Sequence, residues 1–293
     1  MIDKKEVADW MKTLQDEICA GLENADAKAK FKEDKWERSG GGGGITRVIE
    51  SGNVIEKGGV NYSAVHGDLD EKVRRTLNIE ADNFFATGIS IVIHPVNPFV
   101  PTIHMNTRYF EVDEKTNWFG GGIDLTPVYV NKEETTAFHD QLKKTCDKFD
   151  INYYPNFKRW ADEYFFIPHR NETRGVGGIF YDRLTAESNK SIDDIFSFTK
   201  AVGKTFLEVY LPLIANNEDK TFGDSEKNWQ LLRRGRYAEF NLVYDKGTKF
   251  GLETQGRTES ILMSLPPLVK WEYDYQPEPG SREEETLNYL KKS

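Results

Sequence analysis

The run ATGISIVIHPVNPFVPTIHMNTRYFEV, residues 86–112, decides the fold class. Its two halves, 86–94 and 102–112, are rich in β-branched and aromatic residues and read as neighbouring strands. In the second half His104, Asn106 and Arg108 hold strictly alternate positions, with Met105, Thr107 and Tyr109 between them. Side chains on a strand alternate between faces, so the three polar groups share one face. Opening on a cavity, that face would offer a single ligand a proton donor, an amide and a fixed cation.

The pattern continues on both sides. WFGGGIDLTPVYV, 118–130, contributes a further β run at 122–130, and three glycines strip side chains from the stretch just before Asp124. From Ile45 to about His66 short β-rich runs are separated by SGN and KGG, as in hairpins. Before them, Val7, Trp10, Met11, Leu14 and Ile18 have the spacing of an amphipathic helix, expected to run on towards Trp36 until SGGGGG, 39–44, stops it. After the β runs come helical patterns at 131–149, 154–166, 191–214 and 225–234, with a capping box at Ser191 and Asp194. YAEFNLVYDKGTKFGLET, 237–254, reads as a hairpin about Asp-Lys-Gly, and Ser281 with Glu284 caps a last helix. Strands grouped first and helices later predict an α+β fold with a largely antiparallel sheet. No internal repeat or dividing linker is evident, so 1–293 reads as one domain.

Composition narrows the function classes. The chain has 293 residues, enough for a sizeable core, and a net charge of −9 with no basic stripe or tail, which argues against nucleic-acid binding. Any anionic partner must then be held by local arginines. Cys19 and Cys146 are too few for a disulfide framework, which fits a reducing compartment. The N-terminal segment lacks the apolar core of a signal peptide, and no apolar run is long enough for a membrane span, so a cytoplasmic location is expected.

Among the motifs, the glycine run fits neither a phosphate loop nor a dinucleotide fingerprint, leaving a flexible loop or a lid. Asp124, between Ile123 and Leu125, needs a partner if buried; it is either a structural ion pair or a site carboxylate. The five histidines, His66, His94, His104, His139 and His169, match no compact zinc signature, although His66-Gly67-Asp68 has the local form of half an iron site. Arg108, Arg170, Arg174, Arg233, Arg234, Arg236 and Arg257 are candidates for gripping carboxylates, or are ordinary surface charges. GxSxG and cysteine-nucleophile motifs are missing, and no cofactor-binding fingerprint stands out, so any redox chemistry would have to come from the substrate itself.

The segments GVNYSAVHG, ISIVIHPVNPFVPTIHMNTRYFEV, WFGGGIDLTPVYV, FFIPHRNETRGVGGIFYD and LRRGRYAEFNLVYDKGTKFGLETQGRTESILMSLPP together resemble the oxygen-dependent coproporphyrinogen III oxidases. The likeness runs from Trp36 and the glycine run to KWEYDY, 270–275. The resemblance implies a large flat antiparallel sheet sandwiched between helical layers, and a homodimer with its interface at about 237–272. It implies conversion of two propionates of coproporphyrinogen III to vinyl groups, giving protoporphyrinogen IX, carbon dioxide and hydrogen peroxide, with oxygen as co-substrate and no cofactor. By the same resemblance His104 and Asp124 are catalytic, and Ser90, Asn106, Thr107, Arg108, Arg174, Gln255, Gly256 and Arg257 line the substrate. Some family descriptions give His94, His104, His139 and His169 as metal contacts, and their spacing gives that no support. The competing classes are an iron-dependent oxygenase using His66 and Asp68, and a tetrapyrrole carrier without turnover.

Overall fold

The computed structural model describes residues 2–291 apart from 70, 72–73, 76–80, 114 and 254–255. An amphipathic helix, α1 (Lys4–Asp26), leads into a meander of six strands: β1 (Lys32–Glu37), β2 (Gly42–Glu50), β3 (Ile55–Asp68), β4 (Asn83–Pro95), β5 (Thr102–Glu111) and β6 (Asn117–Thr126). Next come α2 (Lys132–Asp147), α3 (Tyr153–Tyr164), a small β7–β8 ribbon (Phe166–Ile167, Glu172–Thr173) and β9 (Gly177–Leu184), which pairs with β6. The main sheet thus has the order β1-β2-β3-β4-β5-β6-β9, antiparallel throughout. The chain ends in helices α4 (Ile192–Asn217), α5 (Asp224–Val243), α6 (Lys246–Glu253), α7 (Thr258–Leu262) and α8 (Arg282–Leu290). The α+β, antiparallel expectation holds.

One face of the sheet carries the principal core. Val7, Met11, Leu14, Ile18 and Leu22 of α1 and Val202, Phe206 and Tyr210 of α4 pack on Ile89, Ile91, Ile103, Met105, Tyr109 and Ile123. Burial of each such side chain contributes roughly 1.5–3 kcal/mol. Gln15 is buried among them because its amide Nε2 donates to the carbonyls of Ile45 and Val60, tying α1 to β2 and β3. The opposite face is only partly covered, by α5 and by residues 256–265, and it bears the site.

Three sequence expectations are corrected. α1 stops at Asp26, well short of Trp36, since Ala27 adopts a left-handed conformation and the Asp26 carboxylate accepts the N–H groups of Ala29, Val54 and Ile55. Trp36 lies in β1, and the glycine run forms the β1–β2 turn and the start of β2, with Gly41 and Gly42 at positive φ. The expected hairpin at 237–254 is helical: it is the second half of α5 together with α6. Tyr237, Phe240 and Asn241 are buried at helical spacing, and the turn-like Asp-Lys-Gly marks the break between two helices.

Candidate active site

The partly covered face is a grid set by strand register. One transverse row runs Thr46, Asn61, Ser90, Asn106, Gly122; the next runs Gly44, Ser63, Gly88, Arg108, Gly120; a third runs Gly59, Val92, His104, Asp124, Gly178. Glycine and serine make up all of the second row except Arg108, so the strands lie nearly bare beside that side chain. Phe180 forms a wall on β9, with Phe165 and Phe240 beyond it in one apolar cluster. The result is a flat floor with polar groups at one end and aromatic rings along the side.

His104 and Asp124 are directly opposed across β5 and β6, and His104 Nδ1 lies 2.7 Å from Asp124 Oδ1. Behind Asp124, Nη2 of Arg174 donates to both carboxylate oxygens at 2.8 and 2.7 Å. Nη1 of Arg174 donates to Asn241 Oδ1 at 2.7 Å. The guanidinium sits against the rings of Phe165, Tyr237 and Phe240, 4.4–4.7 Å from their centroids, which fixes its plane by cation–π contact. Burial by itself would push the Asp124 carboxyl up, but the Arg174 charge and the His104 hydrogen bond outweigh it and hold the group below the usual carboxylate range. Asp124 is therefore an ionised carboxylate whose side chain is 2% exposed, whereas that of His104 is 16% exposed.

The near side of His104 is equally ordered. Asn106 Nδ2 lies 3.4 Å from His104 Nε2, and its Oδ1 accepts from Arg108 Nη1 at 2.7 Å. Arg108 Nη2 donates to Asp182 Oδ1 at 2.9 Å. One polar chain therefore runs Asp182–Arg108–Asn106–His104–Asp124–Arg174–Asn241 through the site.

The structure brings most of the sequence-derived candidates together and separates others. Ser90 faces Asn106 across β4 and β5. Thr107 is corrected: its side chain is on the opposite, core face, where its hydroxyl donates to Met11 Sδ, as strand alternation demands. Arg174 is fully buried and spends its charge on Asp124, since a carboxylate inside an apolar strand requires a counter-charge. Gly256 and Arg257 lie at the far end of the first row: Arg257 pairs with Asp34, and Ser260 hydrogen-bonds Thr46. Four strand spacings separate Asp34 on β1 from Asn106 on β5, about 19 Å. Gln255 lies outside the described residues.

The other histidines are scattered. His94 is buried with Nε2 donating to the Ser264 carbonyl, and burial with the nearby Arg234 charge pulls it down to about 3. His139 bonds the Val176 carbonyl and the Tyr154 hydroxyl, and burial lowers it as well. His169 lies between Tyr244 and Glu239. His66 and Asp68 are on the exposed end of β3. Among the described residues no three His, Cys, Asp or Glu side chains converge as a metal-ligand set. Burial pushes the Cys19 and Cys146 thiols up to about 12, far from nucleophilic range. Two participants escaped sequence reading: Asp182, whose strand gave no sign of its register, and Asn241, hidden in the segment read as a hairpin.

Residues 6–293 match the family model described as coproporphyrinogen III oxidase. The chain is also 49% identical over 294 residues to an oxygen-dependent coproporphyrinogen-III oxidase of Prochlorococcus marinus (strain NATL1A), with 92% of this chain and 84% of the relative covered.

Proposed function

The chain belongs to the coproporphyrinogen III oxidase family, and from that membership we propose that it carries out the oxygen-dependent oxidative decarboxylation of coproporphyrinogen III to protoporphyrinogen IX. The observation that carries the reading is the match over residues 6–293 together with the His104–Asp124 pair set beside a bare strand floor. A tetrapyrrole with four propionates suits such a floor: the macrocycle lies along the glycine and serine row, and Arg108 and Arg257, at opposite ends, receive carboxylates.

For each propionate the balance is one dioxygen and one proton consumed, and one carbon dioxide and one hydrogen peroxide released. The electron-rich pyrrole reacts directly with dioxygen. The resulting peroxide removes a propionate β-hydrogen, the bond to the carboxylate breaks, and its electron pair forms the vinyl double bond. The peroxide needs one further proton, and His104 delivers it as a general acid. Asp124, kept ionised by Arg174, holds the imidazole by Nδ1 and stabilises the imidazolium. The substrate supplies the reducing electrons, so the reading calls for no flavin or metal. Turnover that survives a strong chelator and needs only air supports this; turnover that returns only on adding iron contradicts it.

Assembly as a homodimer belongs to the same reading. Of the ten exposed large apolar side chains among the described residues, seven fall within 242–273, including Leu242, Val243, Leu268 and Trp271. Such clustering marks an interaction surface, and it coincides with the interface expected at 237–272. No helix among the described residues is long and apolar enough to cross a membrane.

A further inference from the structure

Asp182 and Arg108 form an ion pair whose side chains are 36% and 39% exposed, and a pair so open to water contributes little stability. Its geometric consequence is larger. The pair lies across Gly120, where a Cβ would come within 2.7 Å of Asp182 Oδ1 and 2.8 Å of Arg108 Nε, so only glycine leaves room for it. The Phe180 ring, 5.9 Å from the guanidinium, walls it from the side. Arg108 is thereby aimed along its own strand at Asn106, to which it donates at 2.7 Å.

A guanidinium has donors only, so the Asn106 atom facing it must be the carbonyl oxygen. The amide nitrogen is then forced towards His104 Nε2, which it approaches at 3.4 Å. An N–H directed at that nitrogen requires a lone pair there. On the other side of the ring, the ionised Asp124 requires a proton on Nδ1, 2.7 Å away. Both neighbours select one tautomer, Nδ1–H with Nε2 bare.

We propose that Asp182 is a positioning residue which, through Arg108 and Asn106, sets the resting tautomer of His104, so that this imidazole enters the reaction cycle as a proton acceptor at Nε2. The inference rests on the proposed function only in giving His104 a proton to move. When a proton arrives, the new bond is Nε2–H, made with the imidazole lone pair, and Asp124 balances the charge. When the proton leaves for the peroxide, the electron pair stays on Nε2 and the starting tautomer returns. His104 thus donates only what it has first accepted, and Asn106 can follow the change by releasing its N–H contact without leaving Arg108.

The test is the 15N spectrum of histidine-labelled protein without substrate at neutral pH, with the His104 signals assigned by their loss in His104→Asn. The wild type is expected to show a protonated Nδ1 and an unprotonated, hydrogen-bonded Nε2. In Asp182→Ala the Nε2 resonance should move as Asn106 is released, and kcat should fall about fivefold or more. Asp182→Asn, which keeps size and one acceptor oxygen, should lie between. A wild-type spectrum with the proton on Nε2 overturns the proposal, as does an Asp182→Ala spectrum that superimposes on the wild type, or an unchanged kcat. A chain inactive on coproporphyrinogen III would sink the proposed function, and the spectra would still decide the tautomer.

Discussion

At the scale of single residues, Asp124 shows how burial alters what a mutation reports. Replacing it with Ala leaves the Arg174 charge buried and unpaired, a loss on the order of 3–5 kcal/mol, so Asp124→Ala should unfold at markedly lower urea concentration and cannot report on chemistry. Asp124→Asn, which keeps an acceptor for His104, should retain the fold and lose at least about tenfold in turnover; wild-type turnover in that variant would remove Asp124 from the reaction. His94 gives a pH prediction. Its folded value of about 3 lies below the ordinary value of 6.5, so between these the unfolded chain binds the extra proton. Its contribution is complete above about pH 6.5 and is lost as pH falls towards 3, at up to about 1.4 kcal/mol per pH unit. Urea midpoints measured across that range should slope less in His94→Gln; equal slopes would contradict the assignment. Asp124 acts lower down: its depressed pKa gives stability above about pH 4 that disappears as pH falls further. The alternation of His104, Asn106 and Arg108 was legible in the sequence because period two is a local property. The burial of Arg174 was not, since nothing near position 174 announces a carboxylate fifty residues earlier.

Among the elements, strands were read well where apolar and polar residues alternate, as in β4 and β5, and poorly where tertiary contacts override local pattern. The stretch 237–254 has strand-like composition and a turn-like Asp-Lys-Gly, yet Tyr237, Phe240 and Asn241 are needed on one helical face to box Arg174. β1, almost wholly polar and exposed, carries no hydrophobic signal that would separate it from the preceding helix. The contact of α1 with α4 depends on small residues: a Cβ on Gly203 would come within 2.7 Å of Leu14 and 2.9 Å of Trp10. Gly203→Val should therefore overpack this junction and cost roughly 1–3 kcal/mol, read as a lower urea midpoint with an unchanged slope. Stability equal to wild type would mean that the two helices can separate freely.

Among the described residues the main sheet has seven strands, with the principal core on one face and the candidate site on the other, an arrangement that would let a flat ligand rest on strands held rigid from behind. The dimer reading belongs to this scale. Leu268 is 60% exposed, so Leu268→Glu should shift the protein from dimer to monomer in sedimentation without unfolding it. A variant that remains dimeric would place the interface elsewhere. The most direct test of the central claim, that a His104-centred site uses the substrate's own electrons to reduce dioxygen, is oxygen uptake by metal-depleted protein given coproporphyrinogen III, for wild type and His104→Asn. The account predicts one dioxygen consumed and one hydrogen peroxide formed per vinyl group in the wild type, with the rate at least about tenfold lower in the variant. Uptake at the wild-type rate in His104→Asn, or none in the wild type until a metal is restored, would contradict it.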